Sequence, residues 1–152
     1  MSVRCRSVLL AVVGLAAGCA SLAPLEAPSQ HELGSLRLSS RRLGGITLEP
    51  TVCLAGDRQL FLGADFVDAT RSTVLRLVVD PLDGPAVRVF SSAEPFDKAI
   101  VFRRADCAVF HFSLDTTGWR VNDVNDYRVT LQLDCDRDGE TLKGSAAADH
   151  CH

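Results

Sequence analysis

The chain has 152 residues and a formal net charge of −3, from 16 basic and 19 acidic side chains. A chain of this length corresponds to one ordinary domain. It contains no basic run, so it lacks the electrostatic footprint of a nucleic-acid-binding protein, and no nucleic-acid partner is expected. It also has no cationic amphipathic helix that would bind lipid headgroups.

The first residues have the pattern of an export signal. Arg4 and Arg6 precede an unbroken run of apolar and small residues, 8–17. A positive start, an apolar core of about 7–15 residues and a small-residue cleavage site make a secretory signal. A membrane-spanning helix needs roughly 17–25 apolar residues, so this run is too short to be one. The alternative, a buried N-terminal helix, fits poorly with Gly18 and Cys19 at the end of the run.

The run closes with Leu15-Ala16-Ala17-Gly18-Cys19, which resembles the lipobox of bacterial lipoproteins, although the family usually has Leu where Ala16 stands. The resemblance implies that residues 1–18 form a signal peptide that is removed. It also implies that the Cys19 thiol receives a diacylglycerol and its freed amine a further acyl chain such as palmitate. Ala20, rather than Asp, follows the cysteine, which in this family favours the outer membrane. The protein is therefore expected to be exported and to meet the membrane through its lipid anchor alone.

Residues 20–35 contain prolines, Ser29 and Gly34 without sustained periodicity. Together with Cys19 they are predicted to form a tether, 19–35, which at about 3.1 Å per residue reaches roughly 45 Å. The folded domain is predicted to span 36–152.

Four cysteines remain in that domain: Cys53, Cys107, Cys135 and Cys151. In an oxidising compartment an even set of this kind predicts two disulfides. No pair has C-x-x-C spacing, so neither a redox dithiol nor a zinc ribbon is indicated. Three pairings are possible. We favour Cys53–Cys107 with Cys135–Cys151, because the second pair brackets one terminal hairpin.

Short alternating runs separated by Gly, Pro and Asp indicate an all-β domain. The runs are 36–38, 46–48, 59–62, 74–79, 87–90, 100–102, 107–114, 127–135 and 141–148. No later window has helical periodicity. We therefore predict a β-sandwich of about seven to eight mostly antiparallel strands with two disulfides.

The clearest strand is Tyr127 to Cys135, whose odd-numbered residues form one apolar face. Asp138-Gly139 predicts a two-residue hairpin turn after it. The returning segment, 141–148, is rich in small residues, which suggests close approach to another element. Phe110 is predicted to share a face with its apolar neighbours, and His111 to lie on the opposite face as a structural residue.

One candidate binding loop comprises Trp119, Asn122, Asp123, Asn125 and Asp126, in what is expected to be a long connection between strands. An exposed Trp beside amides and carboxylates would form a recognition platform. The favoured alternative places Trp119 in the core, with Asn and Asp supplying turn chemistry.

Two possible metal sites are weaker, and no metal or other cofactor is predicted. Asp134, Asp136 and Asp138 begin an EF-hand-like pattern, but position twelve is Ser145 rather than Glu, so an acidic β-turn is favoured. His150-Cys151-His152 could offer two imidazoles and a thiolate, but a disulfide would consume the thiol.

No catalytic motif such as G-x-S-x-G, H-E-x-x-H or a P-loop is present, and no catalytic residue is assigned. The segment Tyr127–Cys135 and the terminal His150-Cys151-His152 resemble small uncharacterised envelope lipoproteins of Gram-negative bacteria, which implies no activity. The leading hypothesis is a non-enzymatic binding or structural module with an envelope protein or glycan partner. The alternatives are a hydrolase that uses His111 with Asp123 or Asp126, and a calcium-dependent adhesion module.

Overall fold

The computed structural model describes residues 33–152, so the predicted signal peptide, Cys19 and most of the tether lie outside it. The described chain is all-β, and its first strand begins at Gly34, two residues before the predicted start of the domain. No helix in this part of the chain is long and apolar enough to cross a membrane. The strands are β1 (Gly34–Ser40), β2 (Gly44–Leu48), β3 (Pro50–Ala55), β4 (Gly63–Asp68), β5 (Thr73–Asp80), β6 (Gly84–Ser91), β7 (Ile100–Arg103), β8 (Cys107–Val121), β9 (Val124–Arg137) and β10 (Glu140–Cys151). Three short 3-10 helices, η1 (Gly56–Gln59), η2 (Phe96–Lys98) and η3 (Arg104–Asp106), connect them.

The strands form two five-stranded antiparallel sheets, with the orders β2-β1-β10-β9-β8 and β3-β4-β5-β6-β7. Only Glu49 separates β2 from β3, and only η3 separates β7 from β8, so the chain passes between the sheets at two edges. Within each sheet, strands that follow one another in sequence are paired, except that β10 also pairs with β1. Short connections of this kind are typical of antiparallel folds.

One hydrophobic core joins the inner faces of both sheets. Leu36 and Val129 from the first sheet and Phe66 and Leu75 from the second are each fully buried. The all-β prediction is confirmed. The strand count was too low, because the described chain has ten strands rather than seven or eight.

The differences all lie between residues 50 and 68. Strands β3 and β4 were not predicted; β3 begins at Pro50, which an edge strand tolerates because its missing N–H need not join the ladder. The predicted strand 59–62 is wrong, because Gln59 ends η1 and Leu60 adopts the left-handed conformation, with φ 61° and ψ 38°. This loop places Leu60 in solvent.

The prediction for the strand Tyr127–Cys135 is confirmed. Its odd-numbered residues are all buried. Asp138 and Gly139 have φ values of 55° and 80°, as a type I′ hairpin turn requires. The predicted close approach of β10 is also confirmed, since a Cβ on Gly144 would lie 2.2 Å from the carbonyl oxygen of Ser35 in β1.

Two disulfides are present, as predicted, but the favoured pairing is wrong. Cys53 pairs with Cys151, and Cys107 pairs with Cys135. Cys107 and Cys135 are direct partners across β8 and β9, whereas Cys53 on β3 and Cys151 on β10 link one sheet to the other. The favoured pairing requires Cys151 to lie beside Cys135. In the structure β10 is an extended strand in which Leu142 pairs with Cys135, so Cys151 lies far from Cys135 at the other end of the strand.

A buried ion pair lies on the outer face of the second sheet. Asp65, which is 3% exposed, alternates with the core residues of β4 and accepts two hydrogen bonds from Arg76 on β5, at 2.7 and 2.8 Å. The guanidinium also lies over the ring of Phe61, 4.2 Å from its centroid. Gln59 hydrogen-bonds to both side chains. The pair is therefore largely removed from water, and both carboxylate oxygens of Asp65 accept hydrogen bonds from Arg76.

Candidate functional site at the Trp119 hairpin

Strands β8 and β9 form a hairpin that extends past the neighbouring strand β10. Its turn is the pair Asn122-Asp123, with φ values of 51° and 64°. Both residues tolerate positive φ, so the turn is a tight type I′ hairpin rather than the expected long loop. Pairing between β9 and β10 ends at Tyr127, which leaves the tip without a covering strand on that side.

The structure overturns the core placement of Trp119, whose side chain is 74% exposed. The register of β8 shifts between Thr116 and Arg120, where β9 supplies fewer residues. Gly118 lies in this bulge with φ 84°. Bulges of this kind re-aim a side chain. The indole is therefore presented to solvent on an ordered strand, as the platform hypothesis required.

The base of the hairpin is fastened to η1 by Asp57. One oxygen of this carboxylate accepts a hydrogen bond from the side-chain amide of Asn125, at 2.6 Å, and the other accepts one from the hydroxyl of Tyr127, at 3.0 Å. Burial, followed by this hydrogen bond to Asp57, raises the pKa of Tyr127, so the phenol stays protonated as a donor. The connection fixes the hairpin relative to the second sheet.

A second fastening point is Asp126, whose side chain is 3% exposed. Its Oδ2 accepts hydrogen bonds from the Thr117 hydroxyl, at 2.7 Å, and from Nδ1 of His150, at 2.8 Å. Nδ1 of His152 lies 3.7 Å from Oδ1. That Oδ1 atom has no hydrogen-bond partner among residues 33–152. Asp126 thus joins the bulge on β8 to the end of β10.

Burial alone would raise the pKa of Asp126. The hydrogen bonds from Thr117 and His150, together with the charges of His150 and His152, outweigh burial and lower its pKa below the ordinary 3.8. The carboxylate is therefore charged at neutral pH and can hold His150 with Nδ1–H as donor and Nε2 free. This is one half of a general-base arrangement, but a nucleophile or substrate must also be within reach of Nε2.

We expect Asp126→Asn to lower the free energy of unfolding at pH 7 by about 1–3 kcal/mol, because a charged acceptor of two buried hydrogen bonds becomes neutral. Because the pKa of Asp126 is lower in the folded protein than in the unfolded chain, its ionised carboxylate stabilises the fold above pH 3.8. This stabilisation is lost as the pH falls through the folded pKa. The difference from wild type should therefore shrink in urea titrations between pH 5 and about pH 3.

Asp123→Asn is the matched control for that experiment, because Asp123 lies on the exposed turn. It should change stability by less than about 0.5 kcal/mol at either pH. A stability difference for Asp126→Asn that stayed constant down to pH 3 would contradict the assigned charge.

The residues proposed for a hydrolase are not brought together. His111 pairs with Gln132, six residues along β9 from Asp126, which corresponds to about 20 Å. His111 instead borders a shallow depression of about 330 Å³ on the outer face of the first sheet, beside Thr130 and Ser145. The histidine partner of Asp126 is His150, which sequence reasoning had considered only for metal binding.

The two possible metal sites are engaged in protein contacts. Asp134 forms an ion pair with Lys143 at 2.8 Å, and Asp138 lies in the hairpin turn. The Cys151 thiol is consumed by its disulfide. Within residues 33–152 no group of three or more His, Cys, Asp or Glu side chains is arranged to hold a metal ion.

Sequence reasoning missed several exposed apolar side chains. Leu60 is 95% exposed, Leu62 50%, Leu82 94% and Val121 37%. The left-handed conformation of Leu60 costs on the order of 1–3 kcal/mol for a residue other than Gly, and its side chain gains no burial in return.

Comparison with known proteins gives no assignment. No family model, curated protein or solved structure matches this chain significantly.

Proposed function

We propose that the protein is a lipid-anchored protein of the bacterial envelope whose β-sandwich is a non-enzymatic binding module. The recognition surface in this proposal is the tip of the β8–β9 hairpin. The observation that carries it is the 74% exposed side chain of Trp119 on a hairpin fastened at two points. The export and the anchor are inferred from the resemblance of residues 15–19 to a lipobox, and outer-membrane sorting from Ala20.

Rigid presentation is what makes Trp119 suitable for binding. An indole offers a large contact area with few rotatable bonds, and Trp is enriched among residues that dominate interface energies. Asp57 and Asp126 fix the strands on either side of it, so little backbone entropy would be lost on binding. The indole contributes little to the core, so its position is free to serve recognition.

The hydrolytic alternative receives less support from the same region. His150 is oriented by Asp126, but Thr117 donates its hydrogen bond to the carboxylate and not to the imidazole. The depression beside His111 lies on a different part of the first sheet. A hydrolase would need these groups to converge on one substrate atom.

The proposal is tested by crosslinking the full-length protein to its partners in intact cells and purifying it from the envelope. Trp119→Ala should abolish the crosslinked species while acylation and the melting temperature stay unchanged. Phe96→Ala is the control, because it removes a partly exposed aromatic ring that lies against Phe90 and Arg76 of the second sheet rather than on the hairpin. Identical crosslinks from wild type and Trp119→Ala would refute the recognition surface.

The anchor is tested in the same cells by labelling with a palmitate analogue. Cys19→Ser should abolish labelling and release the protein from the membrane fraction. Labelling that persists in Cys19→Ser would refute the anchor and leave the hairpin result to be judged separately.

A further inference from the structure

Each sheet of the sandwich has two edge strands, and three of these four strands are short. β2 has five residues and begins with Gly44-Gly45, and β7 has four residues. β3 has six residues, begins at Pro50 and has an irregular register next to it. Short length, proline and bulges keep a sheet edge from pairing with another chain. β8 differs from the other three, because it is an edge strand of 15 residues.

The middle of β8 has none of these protective features. Its pairing with β9 is interrupted only next to Ala108 and between Thr116 and Arg120, so residues 109–116 form a regular stretch. This stretch contains no Gly, Pro or Lys. Among residues 33–152, β8 pairs with β9 alone, and no other backbone hydrogen bond reaches the stretch. A long regular edge of this kind is a template for a further strand.

The free hydrogen-bonding groups belong to the even-numbered residues of this stretch. Arg137 and Glu140 flank the two-residue turn between β9 and β10 and exchange hydrogen bonds, so the odd-numbered residues of β9 bond to β10. The even-numbered residues of β9 bond to β8, where they pair with odd-numbered residues such as Ser113. The backbone N–H and C=O groups that point away from β9 are therefore those of Phe110, Phe112, Leu114 and Thr116.

The side chains of the stretch match a second copy of the same strand. Phe112 and Leu114 pack against the core, yet both remain partly exposed because β8 has no neighbour on its other side. On the outer face, His111 and Asp115 are exposed at equal distances on either side of Ser113. An antiparallel copy of the strand, centred on Ser113, would therefore place an apolar residue beside Phe112 and an acid beside His111.

We propose that two copies of this protein pair through β8 in an antiparallel arrangement, about a twofold axis at Ser113, so that their first sheets join into one ten-stranded sheet. In this register Phe112 lies opposite Leu114 of the second copy, and His111 lies opposite Asp115 of the second copy. Each pair occurs twice because the contact is symmetric. The imidazole N–H can donate a hydrogen bond to the carboxylate, and apolar and opposite-charge pairs both stabilise neighbouring strands.

The regular stretch fits this register better than the neighbouring one. With the axis at Ser113, the even-numbered edge residues from Phe110 to Thr116 all face one another. With the axis at Phe112, Thr116 would face Ala108 beside the first bulge, and the imidazole and the carboxylate would no longer be opposite each other. The axis at Ser113 therefore gives more backbone hydrogen bonds and both charge pairs.

This contact leaves the proposed recognition surface free. Trp119 lies in the second bulge, outside the paired stretch. The two hairpin tips would lie at opposite ends of the joined sheet, roughly 40 Å apart at about 3.3 Å per residue. The dimer thus goes beyond the proposed function and does not depend on what the tip binds.

The test places a cysteine on the proposed axis. Ser113→Cys puts two thiols opposite each other at a pair that does not exchange hydrogen bonds, where the Cα atoms are about 4.5 Å apart, within the range of a disulfide. The full-length protein is diluted in excess mild detergent, so that separate chains occupy separate micelles, and is oxidised with copper phenanthroline. We expect most of it to become a covalent dimer on non-reducing gels, whereas the wild-type chain sets the background.

Thr130→Cys is the matched control. Thr130 is exposed on the same face of the sheet, directly opposite Ser113 on β9, and the two hydroxyls are hydrogen-bonded at 2.8 Å. In the proposed dimer the two copies of Thr130 are three strand spacings apart, about 14 Å, which is too far for a disulfide. This variant should stay monomeric although maleimide labels its thiol. Ser113→Cys that forms no more dimer than Thr130→Cys would overturn the inference.

A second pair of variants tests the free edge itself. Thr116→Pro, added to Ser113→Cys, removes an N–H at the free edge and leaves the ladder with β9 intact, since an edge strand tolerates proline there. It should lower the yield of covalent dimer about tenfold, because two symmetry-related hydrogen bonds are lost. Thr116→Val, which keeps the N–H, should not lower it. Equal yields from these two variants, at equal melting temperatures, would mean that the chains meet elsewhere and would overturn the inference.

Discussion

Replacing Cys53 and Cys151 together by alanine is expected to lower the free energy of unfolding by about 4–5 kcal/mol. This disulfide closes a loop of 98 residues, so it restricts the unfolded chain strongly. Proteins of this size are stable by only about 5–15 kcal/mol, so the variant should be close to unfolding at 37 °C. Denaturant titration under non-reducing conditions measures the loss.

The matched control is Cys107→Ala with Cys135→Ala, which opens a loop of only 28 residues. The same entropic relation gives about 3.5 kcal/mol for that loop, and β8 and β9 remain paired along their length without it. A larger loss from this pair than from Cys53 and Cys151 would contradict the argument from the loop length. The first variant should also loosen His150 from Asp126, because Cys151 follows His150 directly.

The second large effect is expected from Arg76→Met, which should lower the free energy of unfolding by about 3–5 kcal/mol. The substitution keeps most of the apolar stem but leaves the carboxylate of Asp65 buried, at 3% exposure, without its charged partner. Only the hydrogen bond that Gln59 already donates to Asp65 would remain. Thermal and urea unfolding of the two proteins measure the difference.

Two further variants test whether the unpaired charge causes the loss of stability in Arg76→Met. Arg128→Met removes the partner of Asp149 in an exposed pair, and the loss should stay below about 1 kcal/mol. Adding Asp65→Leu to Arg76→Met should recover much of the lost stability, because the unpaired charge is then gone. A double variant as unstable as Arg76→Met alone would mean that lost packing against Phe61, and not the buried charge, causes the effect.

The predicted features that the structure confirms depend on residues close together in sequence. The alternation from Tyr127 to Cys135 determines which side chains enter the core, because a slip of one residue would reverse both faces. Asp138-Gly139 determines its turn because both residues accept positive φ. The even set of four cysteines was sufficient to predict two disulfides, though not their pairing.

The candidate site was predicted only in part. Trp119, Asn125 and Asp126 were recognised as a group, but their partners Asp57, Thr117 and His150 lie on other elements. No spacing in the sequence links Asp57 to Tyr127, which are separated by 70 positions. Leu60 was placed in a strand because apolar neighbours at 60–62 have a strand-like composition, whereas its left-handed conformation exposes it.

Sequence alone thus determined the fold class, the best strand, its turn and the number of disulfides, since each follows from local periodicity or composition. Tertiary structure decided the pairing of Cys53 with Cys151, the exposure of Trp119 and the meeting of Asp126 with His150. Each of these depends on how β10 lies between β1 and β9 and on where it ends beside β9. That placement arises from burying the inner faces of both sheets together, which no local pattern specifies.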